Sequence, residues 1–90
     1  MVSQKVKIKN PSGLHLHPAG RLCDVANGFE CRITFKTASG NISNAKSLLS
    51  ILGAAVKFGD ELEFICEGAD EEKALARIVS VVENGFEDLA

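Results

Sequence analysis

His15 and His17 are the only histidines of a 90-residue chain, and they stand one residue apart in the stretch "GLHLHPAG". An imidazole nitrogen near neutral pH can be a nucleophile, a proton carrier or a metal ligand. Its role depends on where the backbone holds it. Ala19, Leu22, Cys23 and Ala26 fall at i, i+3, i+4 and i+7, which is one apolar stripe of a helix. The first turn then covers Leu16 to Pro18, where proline is accepted because its missing N–H would have had no partner. That register puts His15 at the N-cap, although histidine caps less well than Ser, Asp or Asn. The free N–H groups of Leu16 and His17, at the positive end of the helix, form an anion site beside the ring. A ring nitrogen next to an anion site is what a phosphohistidine needs: the ring attacks phosphorus, and the backbone donors hold the phosphoryl oxygens. The plainer reading is two surface histidines in a loop with no chemical role.

Ser47 is the second candidate. It precedes the apolar run Leu48, Leu49, Ile51, Leu52 and can N-cap a short helix running toward Gly53. A phosphate on a hydroxyl at a helix mouth is electrostatically favourable. Cys23, Cys31 and Cys66 make an odd number, none in a CxxC or at metal-ligand spacing, and each is flanked by core-like residues. They are expected to be buried thiols in a reducing compartment. A zinc site joining His15 or His17 to a cysteine stays open as an alternative reading of the same residues. No metal or cofactor is called for.

Ninety residues with 46% hydrophobic content imply one globular domain, residues 1–90. No apolar run approaches the roughly 20 residues that cross a bilayer, and the first ten residues lack the apolar block of a signal peptide. A cytoplasmic protein without membrane insertion is expected. A formal net charge of -2, dispersed Lys and Arg, and five Phe without Tyr or Trp argue against nucleic-acid binding.

The elements that must position these residues follow from periodicity. Val2, Val6 and Ile8 alternate with Lys5, Lys7 and Lys9, a strand with one polar face that "NPSG" then breaks. Asn27-Gly28 is expected to end the first helix, with a left-handed cap. Cys31, Ile33 and Phe35 alternate with Arg32, Thr34 and Lys36. A hairpin turn at residues 38–41 leads to a short third strand from Ile42. Phe58-Gly59-Asp60 is a turn before a fourth strand, in which Leu62, Phe64 and Cys66 face inward. Asp70 is placed to cap a last helix whose inner stripe is Ala74, Ile78, Val81, Val82 and Gly85. The order is β-α-β-β-α-β-α. One-sided alternation in the long strands predicts an α+β fold: an antiparallel sheet with one wet face and all helices on the other. The expected core is Val6, Ile8, Ala19, Leu22, Ala26, Ile33, Phe35, Leu62, Phe64, Ile78 and Val82.

Three segments carry a family resemblance. "GLHLHPAG" resembles the Gly-Leu-His-Ala-Arg-Pro-Ala motif of HPr, the histidine-containing phosphocarrier of the bacterial phosphoenolpyruvate-dependent sugar phosphotransferase system. "NAKSLLSILG" is similar to its second signature, where a serine after a lysine opens a short apolar helix. "CEGADEEKAL" is similar to its strand-to-last-helix segment. The resemblance spans the whole chain, and it implies an open-faced β-sandwich: a four-stranded antiparallel sheet in order 1-4-2-3 under three helices. It implies that His15 accepts a phosphoryl group on Nδ1 from enzyme I and passes it to EIIA components of sugar transporters. The group is held by Leu16 and His17. On this reading the chain is a covalent carrier rather than an independent enzyme, and it acts as a monomer. It further implies, as an alternative, a regulatory relative phosphorylated on Ser47 by HPr kinase/phosphorylase and bound by a catabolite repressor, with Leu48, Leu49 and Leu52 as the docking surface. One departure stands out: the family usually has Arg where this chain has His17, which implies slower or retuned transfer.

Overall fold

A computed structural model describes residues 1–11 and 13–86. Ser12, expected in the turn after the first strand, and residues 87–90 of the expected domain lie outside the described residues. The elements are β1 (Val2–Lys7), α1 (Leu16–Asn27), β2 (Arg32–Lys36), β3 (Ile42–Asn44), α2 (Leu48–Gly53), β4 (Glu61–Glu67) and α3 (Glu71–Glu83). This is the order that the periodicity predicts.

The strands pair antiparallel in the order β1-β4-β2-β3. Val6 stands opposite Leu62, Ile33 opposite Cys66, and Phe35 opposite Phe64. This register puts the apolar half of β1, β2 and β4 on one face, where a slip of one residue would turn it outward. All three helices close over that face. Every residue of the expected core is buried. Phe35 and Phe64 meet at its centre with ring centroids 5.6 Å apart and planes tilted by 48°. The other face is open. There Glu63 stands opposite Lys5 on one side and Lys36 on the other, so opposite charges alternate across three strands. None of the described helices is long and apolar enough to cross a membrane.

Three local expectations are corrected. Cys23 is only half-buried, and Val25 takes the inward place on α1. The stripe is rotated because Cys23 turns toward the entrance of α2, where its thiol lies 3.5 Å from the Lys46 carbonyl. Gly28 closes α1 at φ -77°, right-handed rather than left-handed, and its N–H reaches the Val25 carbonyl. Asp70 occupies the N-cap position of α3 but makes no side-chain cap. Its carboxylate accepts instead from the Glu30 and Cys31 amides, 2.9 Å each, and so fastens α3 to the entry of β2. Glu71 takes over locally, accepting from the Gly68 amide at 3.0 Å. At the far end of α3, the Phe86 N–H reaches the Val81 carbonyl and the Gly85 N–H the Val82 carbonyl. This is a Schellman closure, with Gly85 left-handed and Phe86 buried.

Candidate functional site

The segment before α1 is held by a backbone clamp. Gly13 has φ +67°, and a Cβ there would lie 2.4 Å from the Val56 carbonyl oxygen and 2.8 Å from the Lys57 Cα. Only glycine fits, for conformation and for space. The Leu14 N–H donates to the Val56 carbonyl at 3.0 Å, and the Asn10 side-chain amide donates to the Gly13 carbonyl. The buried Leu14 side chain then pins the segment to the core. The next residue, His15, is left exposed at the mouth of α1.

His15 is the N-cap, with extended backbone (φ -90°, ψ -165°) and no side-chain cap hydrogen bond. Its carbonyl accepts from the Ala19 N–H at 2.9 Å, which starts the helical ladder. Pro18 offers no N–H, so the free donors of the first turn are Leu16 and His17. Neither has an acceptor among the described residues. The ring of His15 thus stands at a helix mouth with two undirected N–H groups, as the spacing of the apolar stripe predicts. His15, Leu16, His17, Gly20, Arg21 and Asp24 line a surface trough there.

The chain matches a known family. The model of the PTS HPr component phosphorylation site covers residues 2–84. This chain belongs to the HPr family. Among its relatives, the phosphocarrier protein HPr of Treponema pallidum is 34% identical over 88 residues, covering 98% of this chain and 99% of that protein. Among solved structures, HPr of Thermoanaerobacter tengcongensis superposes with a TM-score of 0.92 at 33% identity, covering 99% of this chain and all of the other. The Bacillus subtilis protein Crh, solved as a dimer with a swapped domain, gives a TM-score of 0.75 at 32% identity, over 98% of this chain and 100% of the other.

The second signature of this HPr chain forms α2. Ser47 is its N-cap, and the hydroxyl oxygen accepts from the Ser50 N–H at 3.2 Å. The entrance to α2 is tied to the end of α1. The Asn27 side-chain amide donates to the Lys46 carbonyl at 3.1 Å, and the Lys46 ammonium donates to the Phe29 carbonyl at 2.6 Å. Ser47 therefore sits beside the C-terminal end of α1, whereas His15 sits at its N-terminal end. Twelve helical residues, about 18 Å of rise, lie between them. The structure does not bring the two together.

Of the three leucines of α2, Leu49 is 83% exposed, while Leu48 and Leu52 are half-buried against the core. Leu16, expected to matter through its N–H, also presents a side chain 66% exposed. The sequence reading missed this exposure, and it missed Gly13 as a point of close backbone approach. The positive φ and the crowding around Gly13 depend on residues more than forty positions away.

Among the described residues no group of three His, Cys, Asp or Glu side chains is placed to hold a metal ion. The cysteines lie apart from the site. Burial pushes the Cys66 thiol up to about 12, with the neighbouring Cys31 adding to it, and burial likewise raises Cys31, helped by the Asp70 carboxylate. Both are therefore poor nucleophiles and poor ligands.

Proposed function

We propose that this chain, a single HPr domain, is a cytoplasmic phosphocarrier whose His15 takes a phosphoryl group from enzyme I and gives it to an EIIA protein of a sugar transporter. The observation that carries the reading is the exposed, uncapped imidazole of His15 at the mouth of α1, beside the free N–H groups of Leu16 and His17. In the forward step a ring nitrogen of His15 attacks the phosphorus of the donor's phosphohistidine. A P–N bond forms on His15 as the donor's P–N bond breaks, and the bonding pair returns to the donor ring. The Leu16 and His17 N–H groups hold the phosphoryl oxygens, and the positive end of α1 favours their charge. The reverse of the same step delivers the group to the acceptor, so the carrier makes no net product.

The test is incubation with enzyme I and phosphoenolpyruvate, followed by mapping of acid-labile phosphate in wild type, His15→Ala and His17→Ala. Label is expected in wild type and in His17→Ala, and none in His15→Ala. Undiminished labelling of His15→Ala would sink the assignment.

A second reading is a regulator that acts through phosphorylation of Ser47. It is supported by the half-exposed Ser47 at the entrance of α2, by Leu49 standing out beside it, and by the likeness to Crh over 98% of the chain. In this role HPr kinase/phosphorylase modifies Ser47, and a catabolite repressor docks on Leu48, Leu49 and Leu52. Phosphoserine mapping after treatment with that kinase separates the two readings.

A further inference from the structure

The peptide unit that joins Gly13 to Leu14 is pinned at both ends. Its carbonyl accepts from the Asn10 side-chain amide, and its N–H donates to the Val56 carbonyl at 3.0 Å. A third bond, from the Gly13 N–H to the Asn10 carbonyl at 3.0 Å, closes the turn before it. The peptide plane cannot rotate without breaking both pins. It lies one residue before His15, so it sets the direction in which the chain enters the mouth of α1.

Both pins are costly to the fold. The Asn10 Oδ1 is buried and has no hydrogen-bond partner among the described residues. A buried carboxamide oxygen without a donor has lost its water for nothing, and an apolar side chain of the same shape would avoid that penalty. At the other pin, Ala55 stands just before Val56 with φ +53°. Its Cβ opposes this left-handed conformation, and glycine is the usual residue where a chain leaves a helix in this way. The Ala55 N–H reaches back to the Leu52 carbonyl at 3.2 Å, so the end of α2 holds the residue there. Two unrelated penalties, an orphaned oxygen and a strained backbone, thus meet on one peptide plane. Strain that a fold retains at one place points to a function there.

We infer that Asn10 is a positioning residue for His15: together with the Val56 carbonyl, which Ala55 aims, its side-chain amide fixes the Gly13–Leu14 peptide and so holds the imidazole in line for phosphoryl transfer. The inference rests on the reading of His15 as phosphoryl acceptor. His15 needs support from the backbone, because its own side chain is exposed and makes no cap hydrogen bond. Reacting atoms must stand about 3–3.5 Å apart and aligned, and a displacement of about 1 Å can cost about 100-fold in rate. Asn10 acts through the peptide plane and not on the phosphoryl group.

The experiment compares wild type with two variants. Asn10→Leu keeps the shape of the side chain and removes its donor. Ala55→Gly relieves the backbone and frees it to turn. Each protein is measured as a substrate of phosphorylated enzyme I, for kcat and KM separately, and by thermal melting and hydrogen exchange of the Leu14 amide. Asn10→Leu should lower kcat about tenfold with KM within about twofold of wild type. Its Leu14 amide should exchange about tenfold faster. Ala55→Gly should melt above wild type and yet transfer more slowly, a combination that a merely structural role does not produce. An unchanged kcat in Asn10→Leu overturns the inference, and if that variant folds poorly an unchanged kcat in Ala55→Gly does so. A loss confined to KM, or unchanged exchange at Leu14, overturns it as well. No label on wild-type His15, with faster Leu14 exchange in Asn10→Leu, would defeat the phosphocarrier reading alone.

Discussion

In the proposed transfer, position 17 is where one side chain departs from the family's usual arginine. Arginine is a permanent cation with a planar fork of donors matched to phosphate oxygens. An imidazole carries charge in only part of the population near neutral pH. In this chain the His17 side chain is exposed beside its own free N–H, so backbone donors remain even when the ring is neutral. Transfer onto His17→Arg should therefore be faster than onto wild type, by the amount that a permanent charge adds to those backbone donors. Single-turnover transfer from phosphorylated enzyme I measures it. Equal rates would show that the N–H groups of Leu16 and His17 carry the phosphoryl group without help from a charge at this position.

At the scale of elements, the starts of α2 and α3 are each fastened by a side-chain oxygen acceptor, Ser47 at one and Asp70 at the other. Ser47→Ala should lower stability by about 1 kcal/mol through loss of the bond to the Ser50 N–H, whereas Ser47→Asp keeps a competent cap and should melt at or above wild type. A thermal scan decides, since about 1 kcal/mol moves the midpoint of a domain this size by about 4–8 °C. Asp70 makes a pH-dependent fastening of α3. The Glu30 amide, and then Cys31, hold its carboxyl below the usual carboxylate range. A folded-state pKa that is depressed adds stability above the unfolded value and loses it as the pH falls. The advantage of wild type over Asp70→Asn should thus be complete at neutral pH, and it should shrink below about pH 4, where the unfolded carboxyl titrates. Denaturant titrations of both proteins at pH 7 and pH 3 test this, and an unchanged difference would mean that the charge is not what binds the Glu30 and Cys31 amides. These ends also mark where sequence periodicity stops being informative. Alternation in β1, β2 and β4 is a local property and is legible. The choice of Glu30 and Cys31 over the amides of α3 by Asp70 is not, because those donors lie some forty positions away in the chain. The turn of Cys23 toward Lys46 escapes the helical stripe for the same reason.

For the whole molecule, the layers were legible and the strand order was not. Period-two alternation says that a strand has one dry face, but it is indifferent to which neighbour lies beside it. The order β1-β4-β2-β3 came only with the family resemblance, and the register confirms it by placing Phe64 between Gln4 and Phe35. Central β4 makes that phenylalanine the keystone of the dry layer, with no exposed surface. Phe64→Ala should destabilise the domain by about 3–5 kcal/mol. A loss under about 1 kcal/mol in equilibrium unfolding would place the ring outside the core. The candidate site was legible to the extent that it is local: His15, Pro18 and the stripe of α1 locate an N-cap. Its clamp was not, since Gly13 is crowded by Val56 and Lys57 from the loop after α2.

That clamp has a consequence for the order of events during synthesis. The Leu14 amide closes on the Val56 carbonyl, and Val2 pairs with Cys66. A ribosome releases the chain N-terminus first at about 5–20 residues per second. The His15 imidazole is thus among the first groups to emerge, yet its seat waits for the loop after α2. A polypeptide interrupted after β3 would carry His15 without the carbonyl that fixes the turn before it.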